Sequence, residues 1–449
     1  GTIGESFTPN IVANYITAFS EILPHGTIVI GYDGRPSGKW IENIVVGTLL
    51  SLNRQVLLAG IVPTPTIQVL VEEMNAVGGI SITASHNPEQ WNGLKFINSD
   101  GTFFNKYQNQ KLFEFVDNTS FKFPNSNVST SKLIENPNRY HLNKIFQLPL
   151  FRETDLSDKI KSKKFKVVFD ADNASGSEII PTLLEELGCE VIKVNCNKTG
   201  IFIHPPEPLP QNILDVANIV RNTKADIGFV VDPDADRLVL IDESGNPVLE
   251  EMTIALAIHA VGESLEYFYP KGNKVVINYS TTKVCEHVAK MFGLDIHRAP
   301  VGEINVVTKM KELDAVVGGE GSGGVILPQC HYGRDALVGI TLILSLLSKL
   351  DKPLSKILEK YPKTLMSKFQ VEIDEEFDEK IEELINHFGI NLLDVNTEDG
   401  FRFESDFGWI HIRKSNTEPI ARIIFEVTNE NNIHNIYNVI SKLFRVVKC

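Results

Sequence analysis

Four short stretches carry residue types that do chemistry. Asp232-Pro233-Asp234-Ala235-Asp236-Arg237 sets three carboxylates at alternate positions directly after an apolar run. Alternation in an extended segment aims side chains to one side. Three like charges so close raise one another's pKa unless a cation neutralises them, and a hard divalent ion with oxygen ligands does so. Mg2+ or a similar ion is the expected ligand of Asp232, Asp234 and Asp236, against a solvated acidic turn. An EF-hand loop is the nearest rival, because Glu243 falls at its twelfth position. Arg237, however, stands where that loop needs glycine, and the flanks read as strands.

Thr83-Ala84-Ser85-His86-Asn87-Pro88 follows the apolar run Gly79-Ile80-Ser81-Ile82, and Pro88 prevents the strand from continuing. Ser85 therefore sits on a turn, either an ordinary Ser/Asn turn or the seat of a nucleophile or phosphate carrier. The hexamer alone leaves both open. Gly318-Gly319-Glu320-Gly321-Ser322-Gly323-Gly324 lets backbone approach a ligand closely, and Glu320 with Ser322 suits adjacent sugar hydroxyls. Arg413, Ser415, Asn416 and Thr417, with Arg422 shortly after, have the makings of an anion cradle. Lys95, ten residues beyond Ser85 in what reads as a return strand, is able to reach back to the serine turn. Arg35 follows Asp33-Gly34 at a neighbouring strand end, and His86 and His331 are the histidines nearest these loops.

The elements that must hold these loops repeat. Ile28–Gly34, Val167–Asn173 and Val275–Ser280 each run from an apolar strand into a polar turn, and helical spacing follows the first over residues 40–52. Each copy carries a second buried strand ending in a polar loop: Ile80–Thr83 before the serine turn, Ile227–Val231 before Asp232, Ala315–Gly318 before Gly319. Ligands of open α/β sheets gather outside the carboxyl ends of strands. Three such loops are expected to face one shared cleft, against duplication without function. The expected fold is α/β, with three related helix-flanked, mixed-sheet domains and a C-terminal α+β domain around a central cleft. The domains run over 1–150, 151–250, 251–362 and 363–449. Polar linkers are read at Phe123–Asn127 and Glu135–Asn138, and a helix over 139–149. Beyond residue 365 the reading gives strands near 367–373 and 407–413 and helices over Asp374–His387 and Ile433–Val446.

At 449 residues the chain exceeds one core, and with 43% apolar and 22% charged residues it is ordinary globular protein. A net charge of −14 disfavours nucleic acid. No run approaches the ~20 apolar residues of a membrane span, and no secretory signal precedes Thr8-Pro9, so the expectation is cytoplasmic. The first residue is Gly1, which leaves room for a natural N-terminus before it. Five cysteines, Cys189, Cys196, Cys285, Cys330 and Cys449, lie far apart with no C-x-x-C pair, which argues for reduced thiols and against a disulfide framework or a zinc site.

Together, Thr83–Pro88, Asp232–Arg237, Gly319–Gly324 and Arg413–Pro419 resemble, in order and spacing, the motifs of the α-D-phosphohexomutase superfamily, over essentially the whole chain. The sugar loop is most similar to the phosphoglucosamine mutase and phosphoglucomutase/phosphomannomutase branch. The resemblance implies reversible movement of phosphate between O1 and O6 of a hexose, with a hexose 1,6-bisphosphate as intermediate and activator. It implies that Ser85 is the phosphoserine, that Asp232, Asp234 and Asp236 hold Mg2+ with it, and that Lys95 stands beside it. Glu320 and Ser322 would read sugar hydroxyls, and Arg413, Ser415, Asn416 and Thr417 would grip the other phosphate. Arg237, Lys283 and Arg422 join the substrate-binding set; Arg35, His86 and His331 join Lys95 in the catalytic one. The implied partner is a phosphosugar, and the implied assembly a monomer or homodimer. Several relatives have histidine where this chain has Gly324, which leaves the general acid/base open between Lys95 and His331. Ser322 stands where this loop type commonly has Asn, which leaves the preferred hexose open, and the family's N-terminal Gly-Ile-Arg-Gly-like stretch is not present at Gly1-Thr2.

Overall fold

The structure is a computed structural model that describes residues 1–118, 129–268, 272–415 and 419–448. The expected linker at Phe123–Asn127 lies outside the described residues, as does Cys449. Four separate sheets account for the strands among them.

The first three sheets share one plan. In the first, Thr27–Tyr32 lies between Gln55–Ile61 and Gly78–Ile82, parallel to both, and Leu94–Asn98 returns antiparallel beyond Gly78–Ile82. The short Ser131–Leu133 adds a fifth strand on the far side. In the second, Lys166–Asp170 lies between Glu190–Val194 and Ile227–Val231, with Leu238–Ile241 returning antiparallel. In the third, Lys274–Asn278 lies between Asp295–Ala299 and Val317–Glu320, with Gly324–Ile326 returning. The strand before each special loop is therefore interior, with every residue buried in Gly78–Ile82, Ile227–Val231 and Val317–Glu320. Strands covered on both faces read as unbroken apolar runs. This is why the repeat is visible in the sequence.

The third loop differs from the expectation in one detail. Its strand is Val317–Glu320 rather than 315–318, so Gly318, Gly319 and Glu320 belong to the sheet. Glycine is a poor strand former, but here a Cβ on Gly319 would lie 2.2 Å from the Gly324 carbonyl oxygen and 2.8 Å from Ile254 Cδ1. Tight packing, not propensity, sets the strand.

The helix expected over 139–149 divides at Leu148 into Pro137–Phe146 and Pro149–Arg152, because Pro149 favours a helix start and disfavours helical backbone at the residue before it. The last sheet is wholly antiparallel, in the order Phe401–Ser405, Gly408–Lys414, Ile420–Val427, Leu365–Glu372, Val446–Lys448, with helices Phe377–His387 and Glu430–Leu443. The final helix begins three residues earlier than expected because the Asn429 side chain accepts a hydrogen bond from the Asn431 amide, an N-cap. It ends before Val446, whose segment joins the sheet instead. Phe369, Ile381, Phe403, Ile410, Phe425 and Ile440 are among the residues that fill this unit's own core. Among the described residues no helix is long and apolar enough to cross a membrane.

Candidate active site

The serine turn and the aspartate loop meet. Ser85 Oγ donates to Asp232 Oδ2 at 2.9 Å across 147 residues of chain. Ser85 is held at φ +50, in the left-handed region, and Ala235 at the middle of the aspartate loop is at φ +51. For a residue with a Cβ this conformation costs on the order of 1–2 kcal/mol and persists only where surroundings impose it. The surroundings at Ser85 are explicit. Its amide donates to Thr83 Oγ1 at 2.8 Å, and Thr83 Oγ1 donates to Asp33 Oδ2 at 2.6 Å. Arg35 binds Asp33 at 2.8 Å and gives its remaining N–H groups to the carbonyls of Ser85, Pro88 and Trp91. The ring of Phe202, from the second unit, covers its guanidinium at 4.9 Å. Arg35 thus braces the backbone of the turn, with its fork engaged by protein carbonyls.

All three aspartates are buried, with ligand-capable oxygens within 4.8 Å of one another. Asp232 Oδ1 accepts from the amides of Asp236 and Arg237, which folds the loop around its own first residue. Asp234 Oδ2 accepts from Thr64 Oγ1 at 2.6 Å, and the Thr64 amide donates to the Asp234 carbonyl at 3.0 Å. Lys95 lies on the return strand, as its spacing from Ser85 suggests, and its Nζ reaches Asp234 at 2.6 Å and Asp236 at 2.9 Å. Among the described residues Asp234 Oδ1 and Asp236 Oδ1 have no hydrogen-bond partner, and both are buried. Buried carboxylate oxygens left bare are costly, so this donor set fits a hard divalent cation. The EF-hand is excluded by the flanking strands, and Glu243 instead binds the amide and hydroxyl of Ser355.

The electrostatics divide the cluster. Burial, and then the charges of Asp236 and Asp234, push the Asp232 carboxyl well above its ordinary range. At Asp236 burial is outweighed by Arg334, Lys95 and Arg237, which hold it well below. Burial would lower Lys95, but Asp234 and Asp236 outweigh it and raise the ammonium pKa, so the group stays charged. His86 Nδ1 lies 3.4 Å from Ser85 Oγ. Burial, followed by the Arg237 charge, holds its pKa down to about 3, so the ring is neutral. Arg237 Nη1 lies 3.5 Å from Glu207, with its Nε 4.0 Å from both Asp232 and Asp236.

The glycine loop joins through a residue the sequence reading did not single out. Arg334 Nη2 binds Asp236 Oδ2 at 2.7 Å, Nη1 binds Glu320 Oε2 at 2.9 Å, and Nε binds Glu303 Oε2 at 3.0 Å. One guanidinium therefore links the aspartate loop of the second unit to the glycine loop of the third. Despite it, burial pushes the Glu303 carboxyl up to about 7. The other Glu320 oxygen accepts from Asn278 and the Gly302 amide, while the Ser322 side chain is partly exposed. A Cβ at position 324 would lie 2.2 Å from Arg334 Cδ. The Arg334 stem occupies the space that a side chain at 324 requires. Gly324→His is accordingly expected to displace Arg334 and to lower both the urea midpoint and turnover; an unchanged midpoint would contradict the packing. The signal for Arg334 was faint in sequence, since Gly333-Arg334-Asp335 reads simply as the start of helix Ala336–Leu350, which Asp335 caps.

At the fourth unit, Arg413 and Arg422 face each other on adjacent antiparallel strands. Like charges directly opposite repel, and an anion between them removes the repulsion. The Ser415 amide closes the loop onto the Ile420 carbonyl at 2.8 Å. Asn416 and Thr417 lie outside the described residues. Two expected residues stand elsewhere. Lys283 pairs with Glu404 of the fourth sheet at 2.7 Å, at the start of helix Val284–Met291, so its charge joins two units. His331 is buried against Asp335 at 3.1 Å, in a cluster with His141, and not against the aspartates. Of the two candidates for general acid/base chemistry, only Lys95 reaches the aspartate cluster.

Comparison with known proteins agrees along the chain. Models of the phosphoglucomutase/phosphomannomutase α/β/α domains I, II and III match residues 1–123, 142–245 and 250–365, and the model of the family's C-terminal domain matches 367–442. A probable phosphoglucosamine mutase of Methanopyrus kandleri is 30% identical over 441 residues, covering 97% of this chain and 94% of its own. A phosphoglucomutase/phosphomannomutase of Thermococcus kodakarensis is 32% identical, covering 96% and 93%. The solved structure of a putative phosphomannomutase from Thermus thermophilus has the same fold, with a TM-score of 0.80 at 20% identity over 99% of this chain and 96% of that one. With these four models matching in order along most of its length, the chain belongs to the phosphoglucomutase/phosphomannomutase family.

Proposed function

We propose that this protein is a phosphohexomutase that exchanges phosphate between O1 and O6 of a hexose, with glucosamine phosphate as preferred substrate and glucose or mannose phosphate as the alternative. The observation that carries the reading is Ser85 Oγ 2.9 Å from Asp232, beside two buried carboxylate oxygens that have no hydrogen-bond partner among the described residues. The names of the full-length relatives support the substrate class and divide between its members.

In the working form Ser85 carries the phosphoryl group. A hydroxyl oxygen of a hexose monophosphate attacks it, the bond from phosphorus to Ser85 Oγ breaks, and a hexose 1,6-bisphosphate forms. The bisphosphate then turns end for end and returns its other phosphoryl group to Ser85. Such transfers need chiefly positioning and charge neutralisation. Arg35 fixes the turn so that Oγ stays in line. Lys95, kept protonated by Asp234 and Asp236, faces the oxygens that gain charge. His86, held neutral by burial and by the Arg237 charge, lies beside Oγ, and the proton that the hydroxyl loses passes to the displaced Ser85 oxygen. Asp232, Asp234 and Asp236 would hold Mg2+ with the phosphoserine, and the ion when bound supplies Lewis-acid neutralisation of phosphoryl oxygens. Glu320 and Ser322 read the sugar. Arg413, Ser415 and Arg422, with Asn416 and Thr417, hold the phosphate that is not moving, which requires the fourth unit to open and close as the intermediate turns.

The test is a coupled assay of glucosamine, glucose and mannose 1-phosphates with Mg2+ and catalytic hexose 1,6-bisphosphate. Turnover with glucosamine 1-phosphate fastest is expected, and no turnover of any by the Ser85-phosphorylated protein would refute the reading. Exhaustive chelation should abolish activity and added Mg2+ restore it; full activity in chelator would sink the metal assignment.

A further inference from the structure

Away from the aspartates, a second cluster of ligand-type side chains lies wholly buried between the first and third units. It comprises His141 from helix Pro137–Phe146, and Cys330, His331 and Asp335 from the segment preceding helix Ala336–Leu350. Their ligand atoms lie within 4.8 Å of one another. Both imidazoles turn Nε2 toward a single oxygen, Asp335 Oδ2, at 2.7 Å from His141 and 3.1 Å from His331. The other oxygen, Oδ1, is fixed by the Leu337 amide at 2.8 Å.

Hydrogen bonding among these groups does not complete itself. His141 Nδ1 meets Thr66 Oγ1 at 2.9 Å, but among the described residues His331 Nδ1 is buried with no hydrogen-bond partner, and the buried Cys330 forms no disulfide. A buried ring nitrogen without a partner is unusual in native structures.

We propose that this cluster is a structural site for a zinc-class transition ion, with His141, Cys330, His331 and Asp335 as its four ligands. Two imidazoles, a thiolate and a carboxylate match the donor types of four-coordinate zinc. Thiolate and carboxylate together neutralise a divalent charge, which suits a site without water. Zinc bond lengths put ligand atoms about 3.3–3.8 Å apart, so rotations of about an ångström bring the set to tetrahedral spacing. Thr66 orients the His141 ring from behind, as outer partners of ligating histidines do. Binding needs no redox step: the Cys330 proton leaves to solvent as the S–metal bond forms.

Cysteine spacing gave no hint of this, because its one sulfur ligand pairs with a histidine 189 residues earlier in the chain. The ion would tie the helix that follows the first sheet to the segment that carries Arg334, and so hold Arg334 toward the catalytic loops. The inference is independent of the reaction proposed above.

The test uses the full chain, reduced and purified without chelator. About one zinc per chain is expected to survive desalting. Cobalt(II) added to the metal-free protein is expected to give tetrahedral visible bands and a thiolate-to-cobalt band in the near ultraviolet. Cys330→Ser should lose the near-ultraviolet band, and Asp232→Asn with Asp234→Asn should keep it. Absence of the thiolate band from the unaltered protein in excess cobalt overturns the proposal, whether or not any variant folds. So does zinc that persists at one per chain in His141→Ala and Cys330→Ser but leaves when the aspartates are changed.

Discussion

Replacing Ser85 by alanine is expected to reduce mutase turnover by about a thousandfold or more, because the covalent route through the serine oxygen is removed entirely. The loss should appear in kcat, with sugar-phosphate affinity by calorimetry changed less than about threefold, since binding rests on groups other than Oγ. The fold should survive. Among the described residues Ser85 Oγ meets Asp232 and, at 3.4 Å, His86, while the turn is held by Thr83, Asp33 and Arg35. A variant with near-normal turnover would show that no phosphoserine lies on the path. One that lost binding as strongly as rate would show that Oγ organises the site rather than reacting in it.

The second large effect is expected at Arg334. Its guanidinium is buried among Asp236, Glu303 and Glu320, so Arg334→Met leaves three carboxylates facing a neutral stem. Removing one partner of a buried ion pair typically costs about 3–5 kcal/mol. The expected result is a lower urea midpoint together with a large loss of turnover, as Asp236 and Glu320 move out of register. Arg334→Lys should recover only part of either, since an ammonium cannot present three donors in a planar fork. Adding Glu303→Gln to Arg334→Met should restore some stability by removing one stranded charge. If Arg334→Met unfolded at the same urea concentration with an unchanged rate, the guanidinium would not be coupling the two loops.

The parts of this architecture that the sequence displayed share a physical cause. Ile28–Ile30, Val167–Phe169 and Val275–Ile277 are fully buried segments of central parallel strands, so they are continuous apolar runs that end where the chain meets polar loops. The fourth unit was harder to read. Its strands Phe401–Ser405 and Ile420–Val427 mix buried with exposed positions, and neither was anticipated. Helix Glu430–Leu443 was placed late because its start is marked by the Asn429 cap rather than by the apolar residues that follow.

The site divides in the same way. Asp232, Asp234 and Asp236 stood out as a candidate cluster through alternation after a buried run, whereas the serine turn and Lys95 took a role only once the family resemblance joined the four loops. Arg35 and His331 were visible as candidates, yet their surroundings direct one to the turn's carbonyls and the other into a separate cluster. Lys283 likewise bonds across units to Glu404.

What the sequence by itself determined is the set of local geometries: three strand-loop repeats and the residue types each loop presents, since buried runs, turn residues and spacing are properties of a few consecutive residues. Which atoms meet was decided by tertiary structure alone. The 2.9 Å contact of Ser85 with Asp232, the grip of Arg334 on three carboxylates and the convergence of His141 with Cys330 join residues from about 14 to 189 positions apart. Such pairings arise from the packing of distant segments, within a unit for Arg334 with Glu303 and Glu320 and between units for the others, which no local pattern encodes.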